Sequence, residues 1–454
     1  MKILLFPQIS AAAAKTNNAC GKLGMKAASA VKNIAESKNR KKAVLLPKAK
    51  EDTKMEIRKF SKQTAAAFGA AALSLLGLAG FYGKALPDRY NVGSGGELTL
   101  NTFFTISSRP AKNICTVALT DMSAGGSHSS ENTLLLFGSV PVKDVTAVSE
   151  PRPQLVPCGE TFGIKLLTDG VVVVELTKVG DSCPARECGI RKGDIIVSID
   201  GKNIRSNRDV SAAVRECCEG GCTVRLRRGG KDMTLTIFPV WWEGSYKAGM
   251  WVRDSSAGIG TLTFYDEDTG IFGGLGHPVC DSDTKEMLPL SEGAVGSIGI
   301  TGLIPSSEGC PGQLLGEFKG DEVLGDITLN CEQGLFGRLE APPDKKEAVE
   351  LGYKQEIRKG PAEIYSSLDG GEPRAYSVEI EHIDLSDSAP HDLVVHITDR
   401  ELIGETGGIV QGMSGSPIIQ NGRLVGAVTH VFIDDPTRGY GIFAEDMAEA
   451  ALTS

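Results

Sequence analysis

The chain has 454 residues, 41% hydrophobic and 23% charged, an ordinary composition for a globular protein, with no collagen period. Its formal net charge of -9 argues against a general nucleic-acid binder. Glycine, at 55 residues, exceeds the usual share of ~7% and favours strands joined by tight turns over long helices.

The charge is unevenly spread. Residues 1–62 carry 15 Lys/Arg against 4 Asp/Glu, residues 63–83 carry no charge, and the remainder is acidic with a net of -20. A membrane imposes such a pattern. Residues 64–83 are rich in Ala, Gly and Leu, and as a helix would be about 30 Å long, enough to span. The flank Arg58, Lys59 and Lys62 predicts a cytoplasmic basic tail (1–62), a signal-anchor (63–83) and an external body. A buried Ala-rich helix is the competing reading. A cleavable signal peptide is a third, although 60 residues precede the apolar core. The run Lys38-Asn39-Arg40-Lys41-Lys42 could touch anionic lipid or nucleic acid, but a topogenic tail without chemistry explains it as well.

Ten of the 11 cysteines follow the anchor, and spacing alone assigns no disulfide pairs. Cys217-Cys218-x3-Cys222 lacks a second ligand cluster at zinc-finger spacing, so no metal is assigned.

Beyond the anchor, residues 84–157 read as a small β region. Leu98-Thr99-Leu100 and Cys115-Thr116-Val117-Ala118-Leu119 alternate apolar and polar, and Leu134-Leu135-Leu136-Phe137-Gly138 ends in a turn. The stretch 151–157, with three prolines, reads as its connection to the next unit.

Residues 158–240 form that unit. The run Glu160-Thr161-Phe162-Gly163-Ile164-Lys165-Leu166 leads into Gly170-Val171-Val172-Val173-Val174. Gly189-Ile190-Arg191-Lys192-Gly193-Asp194-Ile195-Ile196-Val197-Ser198-Ile199-Asp200-Gly201 follows, with Asp200-Gly201 a hairpin signal. Val210, Ala213, Val214 and Cys217 have helical spacing, and strands close the unit. This unit resembles a PDZ domain. The resemblance implies capture of an extended peptide beside a strand edge, at Glu160, Thr161, Phe162, Gly163, Ile164, Lys165 and Leu166. Glu160 would repel a terminal carboxylate, so binding of an internal segment stays open. A spacer domain without a ligand is the plainer alternative.

From residue 241 to 454, strand-like runs recur between glycine-rich turns, suiting one or two β-barrels. Asn421-Gly422 predicts a type I′ hairpin, and residues 446–452 predict a terminal helix. The most informative run is Gly412-Met413-Ser414-Gly415-Ser416-Pro417. Small neighbours let a serine hydroxyl stand in an open cleft. The backbone N–H groups around Gly412 and Ser414 can hold an oxyanion. The run resembles the G-D-S-G-G-P loop of chymotrypsin-like serine proteases, which selects Ser414 as nucleophile. Met413 replaces the aspartate of that loop.

A serine nucleophile needs a base. His277 sits in Gly274-Leu275-Gly276-His277-Pro278 after a strand-like run; His430 and His396 compete with it. His128, His382 and His391 read as surface residues. For the third member, Asp399 at a strand end competes with Asp266, Asp268, Asp281 and Asp283, and residue physics leaves the choice open.

Residues 87–454 closely resemble the stage IV sporulation protein B peptidases, the S55 serine peptidases. The runs 253–264, Gly274-Leu275-Gly276-His277, 412–417 and Thr429-His430-Val431-Phe432 carry the match. The resemblance implies a mainly β protein, with a chymotrypsin-like β-barrel protease domain (241–454) preceded by a PDZ domain and a small β region. It implies His277, Asp399 and Ser414 as the catalytic triad, with no metal or organic cofactor. It also implies a forespore membrane enzyme with its body in the space between forespore and mother cell. Its partner is a protein substrate, a membrane-bound regulator of the intramembrane protease that processes a late sigma factor. Self-cleavage between residues 84 and 110, and self-association through the PDZ and N-terminal regions, belong to the same expectation. Two other classes compete: a peptide-binding scaffold with an inactive protease-like domain, and a cysteine enzyme using Cys280.

Overall fold

The computed structural model describes residues 48–100, 104–108, 128–217, 220–341, 347–386, 389 and 391–452. The basic run at 38–42, the strand expected at 115–119, and Cys20, Cys115 and Cys218 lie outside these residues. The chain divides into two compact units, at residues 76 and 77.

Helix α1, Lys48–Ala85, crosses that division. Its stretch Ala67–Ala85 is long and apolar enough to cross a membrane.

The body opens with β1 (Arg89–Gly93), β2 (Phe104–Ser108), β3 (His128–Leu136) and β4 (Val140–Glu150), ordered β1-β4-β3-β2. Phe137 and Gly138 take φ of 52° and 71°, closing β3 onto β4 where the sequence predicts a turn. The residues 98–100 are not a strand. The three-proline stretch is not a simple connection either. Its second half is β5 (Gln154–Pro157), with Leu155 and Val156 buried.

Next come β6 (Thr161–Leu176), α2 (Pro184–Glu187), β7 (Ile195–Ile199), β8 (Lys202–Asn203), α3 (Asn207–Glu216), β9 (Cys222–Arg228) and β10 (Lys231–Ile237). Asp200 and Gly201, at φ 47° and 75°, turn β7 into β8. Ser206 and Asp209 form a reciprocal capping box on α3, which fixes its start. Val210, Ala213 and Val214 of α3 pack on Val171, Val173, Ile196, Val224 and Leu226. Each fully buried Val, Leu or Ile side chain among them contributes roughly 1.5–3 kcal/mol. A disulfide joins Cys217 to Cys222.

The strands β11 (Val240–Trp242), β12 (Ser245–Lys247), β13 (Met250–Tyr265), β14 (Ile271–Gly274), β15 (Leu290–Ile304), β16 (Gly312–Cys331), β17 (Gly334–Leu339) and β18 (Val349–Glu350) follow. Apart from the β11–β12 hairpin they join β5–β10 and a later two-residue strand at Val410–Gln411 in one 13-stranded sheet, whose main path runs β10-β9-β7-β6-β15-β16-β17-β14-β13-β5-β18. Two 16-residue strands, β6 and β13, lie side by side and pass from the α3 core into the next one.

The last segment is a closed barrel. Strands β19 (Gly360–Ser366), β20 (Arg374–Ile383), β21 (Leu393–Ile397), β23 (Pro417–Gln420), β24 (Arg423–Val431) and β25 (Arg438–Phe443) close in the order β19-β20-β21-β25-β24-β23. Helix α4 (Arg400–Thr406) and the short β22 (Val410–Gln411), parallel to β16, lead to the serine loop. Inward residues Ile364, Val378, Ile380, Val395, Ile397, Ile418 and Val428 fill the barrel. Asn421 and Gly422, at φ 53° and 74°, make the predicted hairpin between β23 and β24. Helix α5 (Ala444–Leu452) ends the described chain. The protein is mainly β with a β-barrel, as the sequence predicts.

Candidate active site

The serine loop leaves β22 and enters β23, and glycine makes it feasible. Gly412 and Gly415 hold φ of 106° and 98°, a region that favours glycine. A Cβ at Gly415 would stand 2.0 Å from the Thr261 carbonyl oxygen. The loop therefore lies flat against β13, and only glycine permits that approach. Within it the Met413 N–H donates to the Val410 carbonyl (3.1 Å) and the Gly415 N–H to that of Val428 (2.7 Å). Among the described residues the Ser414 N–H makes no hydrogen bond, so it is available to an oxyanion. The half-buried Ser414 hydroxyl donates to the Thr429 carbonyl at 2.7 Å.

The histidine turn leaves β14. Leu275 and Gly276 take φ of 66° and 69°, and Leu275 is buried there despite its side chain. A Cβ on Gly276 would meet Ile442 at 2.8 Å and the Thr429 methyl at 2.9 Å. The turn and the serine loop therefore both border Thr429. They also share Thr261 of β13, which receives the Leu275 N–H on its carbonyl (3.3 Å) and gives its own N–H to the Ser414 carbonyl (2.9 Å).

His277 Nδ1 lies 2.9 Å from the Pro278 carbonyl oxygen. A carbonyl accepts only, so Nδ1 carries the proton and Nε2 keeps its lone pair. That is the tautomer a general base needs. Burial pushes His277 down to about 4 and the neighbouring His430 adds to this, while the Pro278 carbonyl opposes them. The rings of His277 and His430 are 4.8 Å apart, centre to centre.

Beside His277 opens a cavity of about 510 Å³ bordered by Glu332, His391, Asp392, His430 and Asp446. His391 stacks on Tyr440 with ring centres 3.6 Å apart. Burial pushes Asp392 up to about 6, and its carboxylate accepts the Phe443 N–H at 2.9 Å. From the sequence alone His391 reads as a surface residue, and Asp392 does not stand out. Their position just before the alternating strand β21 was the available signal.

The structure does not bring Asp399 to His277. Its Oδ1 accepts the N–H groups of Glu401 and Leu402, both at 3.0 Å, and so caps α4. Its Oδ2 lies 3.4 Å from the Ser377 N–H. The other aspartates are also engaged elsewhere: Asp281 and Asp283 pair with Arg253, and Asp266 accepts the N–H groups of Asp268 and Thr269 in a turn. His396 pairs with Glu381 at 3.2 Å. Among the described residues, no hydrogen bond or ion pair joins His277 to Ser414 or to a carboxylate.

The expected peptide edge at 160–166 also needs correction. Residues 161–167 pair on one side with 255–261 of β13, and residues 163–168 pair on the other with 290–296 of β15. A strand hydrogen-bonded on both sides has no edge to offer a peptide. The Glu160 carbonyl accepts the Leu262 N–H. Phe162, Ile164 and Leu166 are buried in the sheet core, Gly163 makes room for Phe318, and Lys165 lies over the Phe318 ring at 4.4 Å. Thr161 pairs with Thr261.

Residues 244–448 match the SpoIVB peptidase S55 family, and residues 161–238 match the PDZ domain family. Among curated proteins, the chain is 38% identical over 72 residues to Serine protease HTRA1 of Xenopus laevis, covering 16% of this chain and 15% of that one. It is 36% identical over 74 residues to Serine protease HTRA1A of Danio rerio, covering 16% and 14%. The chain thus spans about 15% of the length of these relatives. A solved PDZ domain of the SdrC-like protein from Listeria monocytogenes aligns at 23% identity and a TM-score of 0.16, covering 18% of this chain and 87% of that one.

Proposed function

We propose that this chain, which carries an S55 peptidase region and an embedded PDZ domain, is a serine endopeptidase of sporulation signalling. The observation that supports it most is the meeting of the serine loop and the histidine turn on Thr261 and Thr429. Ser414 Oγ turns from the Thr429 carbonyl toward His277 Nε2, gives up its proton and attacks a peptide carbonyl. The C–N bond of the tetrahedral intermediate breaks as His277 returns the proton to the leaving amine. Water then clears the acyl-enzyme by the same route. The Ser414 N–H, with that of Gly412, holds the oxyanion. The Pro278 carbonyl keeps His277 in the productive tautomer. Asp399, the third member that the family resemblance implies, is assigned here a positioning role as the cap of α4.

The substrate is a protein, read here as a membrane-bound regulator of the intramembrane protease that processes a late sigma factor. The helix Ala67–Ala85 is compatible with a membrane anchor, read here as one in the forespore membrane with an external body. Self-cleavage within 84–110 releases that body. The paired backbone of β1 is a poor substrate, whereas residues 94–97 are exposed and outside regular structure. Self-association through the PDZ and N-terminal regions is retained without an edge at 160–166.

A cysteine enzyme is a weaker reading. Burial and the nearby Glu332 push the Cys280 thiol up, which lowers its thiolate fraction. The test uses the full chain and its Ser414→Ala variant, each incubated with a peptide library and read by mass spectrometry, with N-terminal sequencing of both proteins. Products and a new N-terminus near residues 94–97 in wild type alone support the reading. Equal processing in both removes self-cleavage, and equal peptide products remove Ser414 as nucleophile.

A further inference from the structure

The run at 253–264 carries part of the family resemblance, and the side chains of its Thr261 and Thr263 take no part in the chemistry above. It lies within β13, and its end braces the site. Thr261 and Thr263 are both fully buried. The Thr261 hydroxyl donates to the Gly412 carbonyl at 2.6 Å, and the Thr263 hydroxyl to the Gly415 carbonyl at 2.8 Å. Between them, the Thr261 N–H donates to the Ser414 carbonyl at 2.9 Å. One strand thereby fixes the carbonyls of residues 412, 414 and 415, all in the serine loop. A peptide group is planar, so fixing the Gly412 carbonyl also fixes the direction of the Met413 N–H. Through the chain the same restraint sets the Ser414 N–H and Oγ. On its other side the Thr261 carbonyl accepts the Leu275 N–H, two residues before His277. Thr261 is therefore tied to the serine loop at two points and to the histidine turn at a third.

We infer that Thr261 and Thr263 are positioning residues for the nucleophile, and that their hydroxyls set the loop geometry on which turnover depends. The inference rests on the serine peptidase reading above. Neither residue touches the reacting atoms; both act through the loop carbonyls. A buried carbonyl that loses its donor must find another, and the loop shifts to do so. A shift of about 1 Å at a nucleophile can cost about 100-fold in rate. The backbone donor at Thr261 survives substitution, so the hydroxyl contribution can be removed separately.

The experiment compares Thr261→Val, Thr261→Ser, Thr263→Val and Thr263→Ser in the full chain, beside wild type and Ser414→Ala. Valine keeps the shape and removes the donor, while serine keeps the donor. Thermal unfolding establishes which variants fold, and kcat and KM are measured on a peptide that wild type cleaves. The expected result is a fall in kcat of about 10- to 100-fold for each valine variant, with KM within about 2-fold. Serine variants should return to within about 3-fold of wild type. Folded valine variants with wild-type kcat overturn the inference, as do serine variants no better than valine. If a valine variant does not fold, the matching alanine variant replaces it. Failure of both valine and alanine while serine folds overturns positioning in favour of a purely structural role. Wild type and Ser414→Ala cleaving equally would instead defeat the serine peptidase reading, and the inference with it.

Discussion

The serine loop and the histidine turn are both shaped by glycine, but they are held differently. The serine loop is pinned from outside, by β13, at the carbonyls of residues 412, 414 and 415. His277 is held by its own neighbour, through the Pro278 carbonyl, with no carboxylate bonded to the ring among the described residues. The nucleophile thus depends on pairing across about 150 positions of chain, and the base on local geometry. Damage to the pairing that pins the loop should spread to the fold, whereas loss of a reacting side chain should stay in the chemistry.

The largest effect sharpens the contrast at its centre. Ser414→Ala removes the nucleophile and should lower kcat by about 10³-fold or more while changing the melting temperature little. Steady-state kinetics and thermal unfolding check both halves of that statement.

Gly415→Ala should act on both at once. Its Cβ would press on the Thr261 carbonyl at 2.0 Å, and its φ of 98° is strained for alanine. A loss of roughly 2–4 kcal/mol in stability, together with activity, is expected in denaturant unfolding. A stable, active Gly415→Ala would break the claim that β13 pins the loop.

His277 should show its burial in pH dependence. Its folded value of about 4 lies below the ordinary 6.5, so the base stays neutral well into acid. The acid limb of kcat/KM that His277 governs should fall near pH 4 rather than near 6.5. Between those values the unfolded chain binds a proton that the folded one does not. Stability therefore falls as pH drops from 6.5 toward 4, and His277→Gln should lessen that fall.

The smallest effect concerns Asp399. As the cap of α4 it should cost about 1 kcal/mol on change to alanine, with Asp399→Asn and Asp399→Ser restoring most of it. Turnover should fall only a few-fold. A 10⁴-fold loss in a folded Asp399→Asn protein would return Asp399 to the triad and end the contrast between a pinned nucleophile and a locally held base.

What was legible in the sequence was mostly local. Asn421-Gly422 and Asp200-Gly201 carry their turn in two residues, and Val210, Ala213 and Val214 show one helical face. The serine and histidine motifs were legible because glycine marks places where backbone must pass closely. Only the family resemblance makes Asp399 the partner of His277, and Asp399 before Glu401, Leu402 and Ile403 is also the signature of a helix start. The PDZ resemblance implies an edge at 160–166, whereas the partners that cover this strand, at 255–261 and 290–296, are about 90 to 130 positions away. Alternation shows which face of a strand is buried, but not which strands lie beside it. For the same reason three prolines concealed β5, whose neighbours are β13 and β18.

Covalent labelling asks whether Ser414 is the nucleophile. The full-length protein is treated with a peptidyl phosphonate, digested with trypsin and mapped by mass spectrometry. One phosphonyl adduct is expected, on Ser414 within the tryptic peptide 401–423, lost in Ser414→Ala and strongly slowed in His277→Ala. Labelling at another residue, or no labelling in folded protein that still cleaves peptides, would contradict it.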